Sequence, residues 1–193
     1  MGTDNFSSLM RRWSGSRQDV SSIVIPAGTV DAIASEISTL SSNDLWRRVE
    51  RVFETQPAMQ RFVCDLCEPL SAAVAWKAQV AVASIFEMFE EHRGRRLPEI
   101  DRNLIQRCES VNEGLIEELS RGRRPSLADM PQPAVMQYVS SVLDEFGNDG
   151  NGPWTPRELY RLFLMLKTVV DATELAYQVA ATQPARIATP FKD

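Results

Sequence analysis

The sequence has little of what catalysis most often requires. Its 193 residues include one histidine and three cysteines. Histidine is the usual proton carrier near neutral pH, and cysteine and histidine are the usual zinc ligands. Glycine-rich phosphate loops and the GxSxG and HExxH motifs do not occur either. These absences favour a protein that is not an enzyme, although they leave open a site built from carboxylates.

An excess of positive charge is also lacking. The formal net charge is −5, which argues against a nucleic-acid binder, because such binding depends on many contacts to phosphate. No charged segment followed by an apolar one marks a secretory signal. The most apolar stretch, residues 70–89, is interrupted by Lys77, Gln79 and Glu87, and we interpret it as a core helix and not as a membrane span. We therefore expect a cytoplasmic protein.

One feature that is present is a stretch that occurs twice. Residues 56–63 read QPAMQRFV and residues 132–139 read QPAVMQYV, at an offset of 76. Apolar residues recur at spacings of three and four in both copies, as in an amphipathic helix. A second helix is predicted after each copy, over 71–91 and 155–181. The sequence thus predicts two similar helical hairpins, 57–91 and 133–181. Their likeness suggests an internal duplication, although any two buried hairpins share such patterns.

The rest of the chain is predicted to be helical between polar ends. Residues 1–27 form a polar arm, and residues 182–193 form a tail. Thr29 and Ser42 suit the N-caps of two early helices. A helix over 99–120 bridges the hairpins, and Gly114 inside it marks either a close helix contact or a break. We predict an all-α protein, with about seven helices in a single-domain bundle over 28–181.

The segment between the helices of the second hairpin is similar to the calcium loop of an EF-hand. In that register Asp149 and Asn151 take positions three and five, and Glu158 takes the bidentate position twelve. Position one, where the motif needs a carboxylate, is Gly147. The resemblance implies at most weak calcium binding. The alternative is an ordered turn followed by a capping box of Thr155 and Glu158.

Two other groups of residues have the chemistry of metal ligands. Cys64 and Cys67 form a CxxC, which Cys108 and His92 would complete as a zinc site. The alternative is that the cysteines are small apolar core residues, because the CxxC lies inside a predicted helix.

The other group is a pair of acid-x-x-acid patterns at matching positions in the hairpins. Glu87 precedes Glu90, and Asp171 precedes Glu174, by three residues. Carboxylates that face each other across a bundle could hold a metal and support an enzyme. The alternative is that they lie on solvated helix faces.

Two arginine-rich tetrapeptides and the arm are the candidates for binding a partner. The tetrapeptides contain Arg93, Arg95 and Arg96, and Arg121, Arg123 and Arg124, while the arm contributes Met10 and Trp13. Each tetrapeptide could instead be a helix end, with glycine after the last turn and arginines near the negative end of the dipole. From all this we predict a protein-interaction or assembly protein that binds a protein partner or itself.

Overall fold

The computed structural model describes residues 24–120, 130–148 and 155–182, which form seven α-helices and contain no strand. In chain order the helices are α1 (Ala27–Ser38), α2 (Ser42–Thr55), α3 (Pro57–Cys67), α4 (Ala72–Arg93), α5 (Arg102–Ser120), α6 (Pro133–Asn148) and α7 (Pro156–Thr182). The prediction of an all-α bundle is confirmed.

Side chains and prolines at the helix starts explain most of these boundaries. Proline opens α3, α6 and α7, at the helical position where a missing N–H costs nothing. Ser71 precedes α4, and its hydroxyl accepts a hydrogen bond from the backbone N–H of Val74 at 3.4 Å. At the other end of α4, Gly94 has a φ of +60°, so the predicted glycine stop is confirmed.

The two early N-caps were predicted one or more residues too late. Helix α1 begins at Ala27, and Thr29 lies inside it, with its backbone N–H bonded to the carbonyl of Pro26 at 3.0 Å. Ser41, and not Ser42, caps α2 by accepting from the N–H of Asp44. Either serine of the pair could cap the helix from sequence alone, and Ser41 is the one with the extended backbone of an N-cap residue.

Two further boundaries differ from the prediction. Ile25 is 1% exposed, so the described core includes a residue ahead of the predicted domain start at residue 28. The bridging helix starts at Arg102 and not at residue 99, because the carboxylate of Asp101 accepts from the N–H of Leu104 at 3.0 Å and caps it. Gly114 neither breaks α5 nor sits against a neighbour, since a Cβ built there would meet nothing within 4 Å.

Helices α4 and α7 form the centre of the bundle. Helix α4 contacts α1, α2, α3, α6 and α7, while α7 contacts α3, α4, α5 and α6. Every residue from Met165 to Tyr177 is buried, so this part of α7 has no solvent face. Helix α4 is long and apolar enough to cross a membrane by length and composition, a test that buried core helices also pass. Its contacts on several sides are those of a core helix.

The two predicted hairpins pack together, and their contacts follow a repeating pattern. Helix α3 contacts α4 and α7, and α6 contacts α7 and α4. Likewise α1 contacts α4 and α6, and α5 contacts α7 and α3. Exchanging α1, α3 and α4 with α5, α6 and α7 therefore preserves the contacts. Helix α2 has no counterpart among the described helices, and the longer α5 packs along α7.

Candidate functional site

Two glutamines at matching positions of the repeat tie the halves together. Gln56 and Gln132 each precede the proline that opens a hairpin. The side-chain oxygen of Gln56 accepts from the N–H of Ile100 at 2.9 Å, and that of Gln132 accepts from the N–H of Ile25 at 2.8 Å. Both glutamines are almost fully buried. Each half thus holds the residue that leads into the first helix of the other half.

The side-chain amide nitrogens of Gln56 and Gln132 donate to different kinds of acceptor. Gln56 donates to the carbonyl oxygen of Pro98 at 3.1 Å, whereas Gln132 donates to a carboxylate oxygen of Glu174 at 2.6 Å. Gln132 also has a φ of +55°, which is uncommon for a side chain with a Cβ. A residue in this conformation thus makes both the bond to Ile25 and the bond to Glu174.

The first arginine tetrapeptide packs on α7. Arg93 donates to both carboxylate oxygens of Glu174, at 3.1 and 3.2 Å. The guanidinium groups of Arg93 and Arg95 lie over the Tyr177 ring, 5.6 and 5.3 Å from its centroid. The Tyr177 hydroxyl donates to the carbonyl of Arg95 at 2.9 Å. Burial, and next the charge of Glu90, raise the pKa of Tyr177.

The predicted partner-binding residues therefore have different positions. Arg93 and Arg95 make the internal contacts just described, and Arg96 is exposed. The other candidates, Met10, Trp13, Arg121, Arg123 and Arg124, lie outside the described residues. Their role in binding stays a prediction.

The acid-x-x-acid residues are neutralised separately in the two halves. Glu87 of α4 accepts from Arg48 and Arg51 of α2, at 2.7 and 2.8 Å. Asp171 of α7 accepts from Lys167 at 2.6 Å and from the amide of Asn112 at 3.0 Å. In residues 24–120, 130–148 and 155–182 no three His, Cys, Asp or Glu side chains are grouped to hold a metal ion. Glu174 is paired with Arg93, while Glu90 accepts from the backbone N–H of Leu97 at 2.9 Å.

The three cysteines are unpaired thiols in different surroundings. Cys64 is exposed, whereas Cys67 and Cys108 are buried. Cys67 lies 3.7 Å from the sulfur of Met165. Burial raises the pKa of Cys67 to about 11, and burial together with the nearby Asp171 raises the pKa of Cys108 to about 12. The two buried thiols behave as small apolar side chains.

Thr155 and Glu158 form the capping box at the start of α7. The Glu158 carboxylate accepts from the N–H of Thr155 at 2.9 Å, and the Thr155 hydroxyl accepts from the N–H of Glu158 at 3.3 Å. Hydrogen bonds from the side chain and backbone of Thr155 lower the pKa of Glu158. The other predicted calcium ligands, Asp149 and Asn151, lie outside the described residues.

Among the described residues, a groove between α3 and α5 is the strongest candidate site. It has a volume of about 230 Å³, and we call it the α3–α5 groove. Its lining side chains are apolar (Ala58, Phe62, Leu66 and Ile105), charged (Arg61, Asp65, Arg102 and Glu109) and amide (Gln106). The bond between Gln56 and Ile100 holds the starts of α3 and α5 together at one end of it.

The charges around the groove are arranged by sign along its length. Arg61 and Arg102 lie nearer the tied helix starts, and Asp65 and Glu109 lie farther along the two helices. Burial, and next the charge of Glu113, raise the pKa of Glu109. None of these four side chains takes part in an ion pair or hydrogen bond within the described part of the chain. The groove thus has an apolar floor between a basic and an acidic end.

Sequence reasoning missed this groove. The only local signal is on α3, where Phe62 and Leu66 share a face with Arg61 and Asp65 at helical spacing. The other wall comes from α5, more than 35 residues later, and the packing of the two helices is not written in either segment. No protein-family model, curated protein or solved structure matches the chain significantly, so its function has to be argued from this geometry.

Proposed function

We propose that this chain is a protein-interaction or assembly protein that binds a helical segment of a partner in the α3–α5 groove. The observation that carries the proposal is the set of charges around the groove that have no ion pair with any described residue. Arg61 and Arg102 stand at one end and Asp65 and Glu109 at the other. A partner that supplies the opposite signs would pair with both ends.

Three buried or nearly buried carboxylates of the bundle differ from the charges that line the groove. Glu87, Asp171 and Glu174 are all neutralised by arginine or lysine within the chain. Charges that bridge helices inside the domain stabilise the fold, whereas charges around an open apolar groove select a ligand. The groove is therefore where binding specificity would reside.

The shape of the groove indicates the chemistry of the partner. A channel between two helices accepts the ridge of side chains along a third helix. Such a helix carries apolar residues at spacings of three and four, and these would contact Phe62 and Leu66. Acidic groups at one end and basic groups at the other would complement the groove.

Charge reversal in the full-length chain tests the proposal. In affinity capture from cells that express the protein, Arg61→Glu with Arg102→Glu should reduce the recovery of direct partners by tenfold or more. The control is Arg47→Glu with Arg157→Glu, which changes the net charge equally at exposed positions outside the groove. Recovery of the same proteins in the same amounts by all three chains would contradict the proposal.

We also propose that the two halves arose by internal duplication. The support is the reciprocal bonding of Gln56 and Gln132, together with helix contacts that survive exchange of the halves. Val30 lies five residues after Ile25, and Ile105 lies five residues after Ile100; both are buried. The duplication proposal concerns the evolutionary origin of the two halves, and the binding proposal does not depend on it.

Calcium binding by Asp149, Asn151 and Glu158 remains an alternative function. Titration calorimetry of the wild type and of Glu158→Gln with calcium tests it. Heat that is present in the wild type and absent in the variant would favour it. A flat titration would remove it. The alternative of a carboxylate-based metal enzyme is tested by the same titration with zinc and manganese, using Asp171→Asn.

A further inference from the structure

We propose that the helical partner of the α3–α5 groove is the same groove in a second copy of this chain, so that the protein forms a twofold dimer. This inference rests on the proposed function and names its partner. In the dimer, α3 and α5 of one copy lie antiparallel on α3 and α5 of the other. The apolar floors of the two grooves would then meet as the centre of a four-helix bundle.

The order of charges along the groove is the observation that carries the inference. On α3, Arg61 precedes Asp65, and on α5, Arg102 precedes Glu109. Both helices thus run from the basic to the acidic end of the groove. A surface with this order is complementary to itself when it is turned end for end, as a twofold axis perpendicular to the groove requires. A twofold axis along the groove would instead bring charges of like sign together.

The end-for-end arrangement gives each of the four charges a partner of opposite sign. Arg61 of one copy faces Asp65 of the second copy, and Arg102 faces Glu109, with each pair occurring twice by symmetry. Gln106 lies between Arg102 and Glu109 and lines the same groove. It would meet Gln106 of the second copy near the axis, and a side-chain amide can both donate to and accept from its own kind. The dimer therefore pairs the charges that have no ion pair with any described residue.

Glu109 has a further reason to take a cation from outside the chain. Burial, and next the charge of Glu113 one turn farther along α5, raise the pKa of Glu109. Like charges at this spacing destabilise a helix. Arg102 of a second copy would supply the opposite charge, so dimerisation would offset a repulsion that no ion pair among the described residues relieves.

The size of the shared face sets the strength of the contact. Helix α3 has 11 residues, which span about 16 Å at 1.5 Å per residue, so the face that α3 and α5 present together is small. Contacts of limited area belong to the weak and transient class. We therefore expect the dimer to form only as the protein concentration rises.

A charge exchange on α5 tests the inference in the full-length chain. Arg102→Glu alone and Glu109→Arg alone should each raise the dissociation constant of the dimer by tenfold or more in sedimentation equilibrium, because each places like charges together across the axis. The chain with both substitutions should dimerise like the wild type. Residues seven apart on one helix are about 10 Å apart along its axis and are not neighbours, so this rescue requires two chains.

A cysteine near the axis gives the second measurement. In a Cys64→Ser background, which removes the exposed native thiol, Gln106→Cys should form a disulfide between two chains on mild oxidation. The same residue of both copies meets there, as the short Cα separation of a disulfide requires. The control is Gln60→Cys in the same background, at an exposed position of α3 outside the groove, which should stay largely uncrosslinked.

The outcomes separate this inference from the proposed function. A wild type that stays monomeric at its highest soluble concentration overturns the dimer, and so does a dimer that both single variants leave unchanged. The proposed function then still stands if Arg61→Glu with Arg102→Glu loses captured partners, and falls if capture is also unchanged.

Failure of the charge exchange to restore a dimer that the single variants lose overturns the twofold arrangement. A dimer that the exchange restores, with Gln106→Cys crosslinked and Gln60→Cys not, supports it. Because the exchange reverses the charges seen by any other partner, capture of other proteins should be lost in that same chain.

Discussion

At the scale of single residues, carboxylates at matching positions of the two hairpins are neutralised by different groups. Glu87 and Asp171 both carry a carboxylate on a central helix. Glu87 obtains its cations from α2, whereas Asp171 obtains a lysine one turn away on its own helix and an amide from α5. A charge moved out of water requires a partner of opposite sign. The second half, which lacks a described counterpart of α2, provides that charge locally through Lys167.

We predict that breaking the Lys167–Asp171 pair destabilises the protein strongly. Both residues are less than 10% exposed. Lys167→Met should lower the free energy of unfolding by about 3–5 kcal/mol, because it leaves the carboxylate buried without its cation. Lys167→Met with Asp171→Leu should lose less than Lys167→Met alone. Urea unfolding followed by circular dichroism measures both.

The control for this experiment is a pair on the surface. Arg47 and Asp44 lie 3.9 Å apart on α2, with both side chains more than half exposed. Arg47→Met should change stability by about 0.5 kcal/mol or less. If the double variant at Lys167 and Asp171 is less stable than Lys167→Met alone, then the cost does not come from the unpaired carboxylate.

The thiols give a second prediction at this scale. Cys64 is exposed, while Cys67 and Cys108 are buried with a raised pKa. The nucleophile in disulfide exchange is the thiolate. At pH 8 one thiol per native chain should react rapidly with Ellman's reagent, and all three should react in guanidinium. Cys64→Ser should abolish the fast phase, and a fast phase that persists in it would contradict the assignment.

The pKa shifts also predict how stability depends on pH. The ordinary pKa of a cysteine is 9.0, and folding raises that of Cys108 to about 12. The neutral thiol is therefore favoured in the folded state. This contribution is fully present below pH 9 and is lost as the pH rises from 9 towards 12. Cys108→Ala should weaken the alkaline loss of stability measured by urea unfolding between those values.

At the scale of the helices, two glycines of the bundle have opposite roles. Gly114 lies inside α5 with open space where a Cβ would be, whereas Gly94 ends α4 with a φ of +60°. Glycine costs stability in a helix interior, but it is the residue of least strain in a left-handed position. The same substitution should thus act in opposite directions at the two sites.

We predict that Gly114→Ala raises the free energy of unfolding by up to about 1 kcal/mol, since alanine has the higher helix propensity. Gly94→Ala should lower it by about 1 kcal/mol, because an L-residue is strained in that conformation. Differential scanning calorimetry of both variants measures the sign of each effect. A drop in melting temperature with Gly114→Ala would mean that α5 approaches another surface at this point.

The helices themselves could largely be predicted from sequence, because their determinants are local. The prolines at 57 and 133, the serine at 71 and the glycine at 94 each act on one turn, and the capping box of Thr155 and Glu158 forms as predicted. The errors at Thr29 and Ser42 have the same cause. Several residues nearby can cap a helix, and packing selects among them.

The candidate site could not be predicted in the same way. The groove forms only where α3 and α5, which belong to different halves, pack together. Its charged side chains indicate a binding site because they have no ion pair with any described residue. For the first arginine tetrapeptide, in contrast, the sequence suggests a site that packing within the chain removes. Its sequence predicts a basic surface, but Tyr177 and Glu174, about 80 residues later, place Arg93 and Arg95 against α7.

At the scale of the whole molecule, the reciprocal glutamines make the two halves one cooperative unit. Gln56→Leu should leave the N–H of Ile100 and the carbonyl of Pro98 unsatisfied. Gln132→Leu should leave the N–H of Ile25 unsatisfied and remove one of the donors to Glu174. Each lost partner of a buried polar group costs about 1–3 kcal/mol. We predict that both variants are destabilised by at least that amount. The matched controls Gln60→Leu and Gln137→Leu, at exposed helical positions, should change stability little.

Unfolding should also be a single transition in the wild type. Far-ultraviolet circular dichroism, which reports all helices, should coincide with tryptophan fluorescence, which includes Trp46 and Trp76 of the first half. Two separated transitions would show that the halves are stable apart.

The bonds of Gln132 have a further consequence for synthesis on the ribosome. The N–H of Ile25 finds its acceptor more than 100 residues later, and that acceptor is oriented by Glu174, near the end of the last helix. We expect a nascent chain that has exposed only its first half to expose the apolar side of α4, because α7 has not yet emerged to cover it. Completion of the bundle would then wait for the emergence of α7, and chaperones would meet an unfinished first half before that.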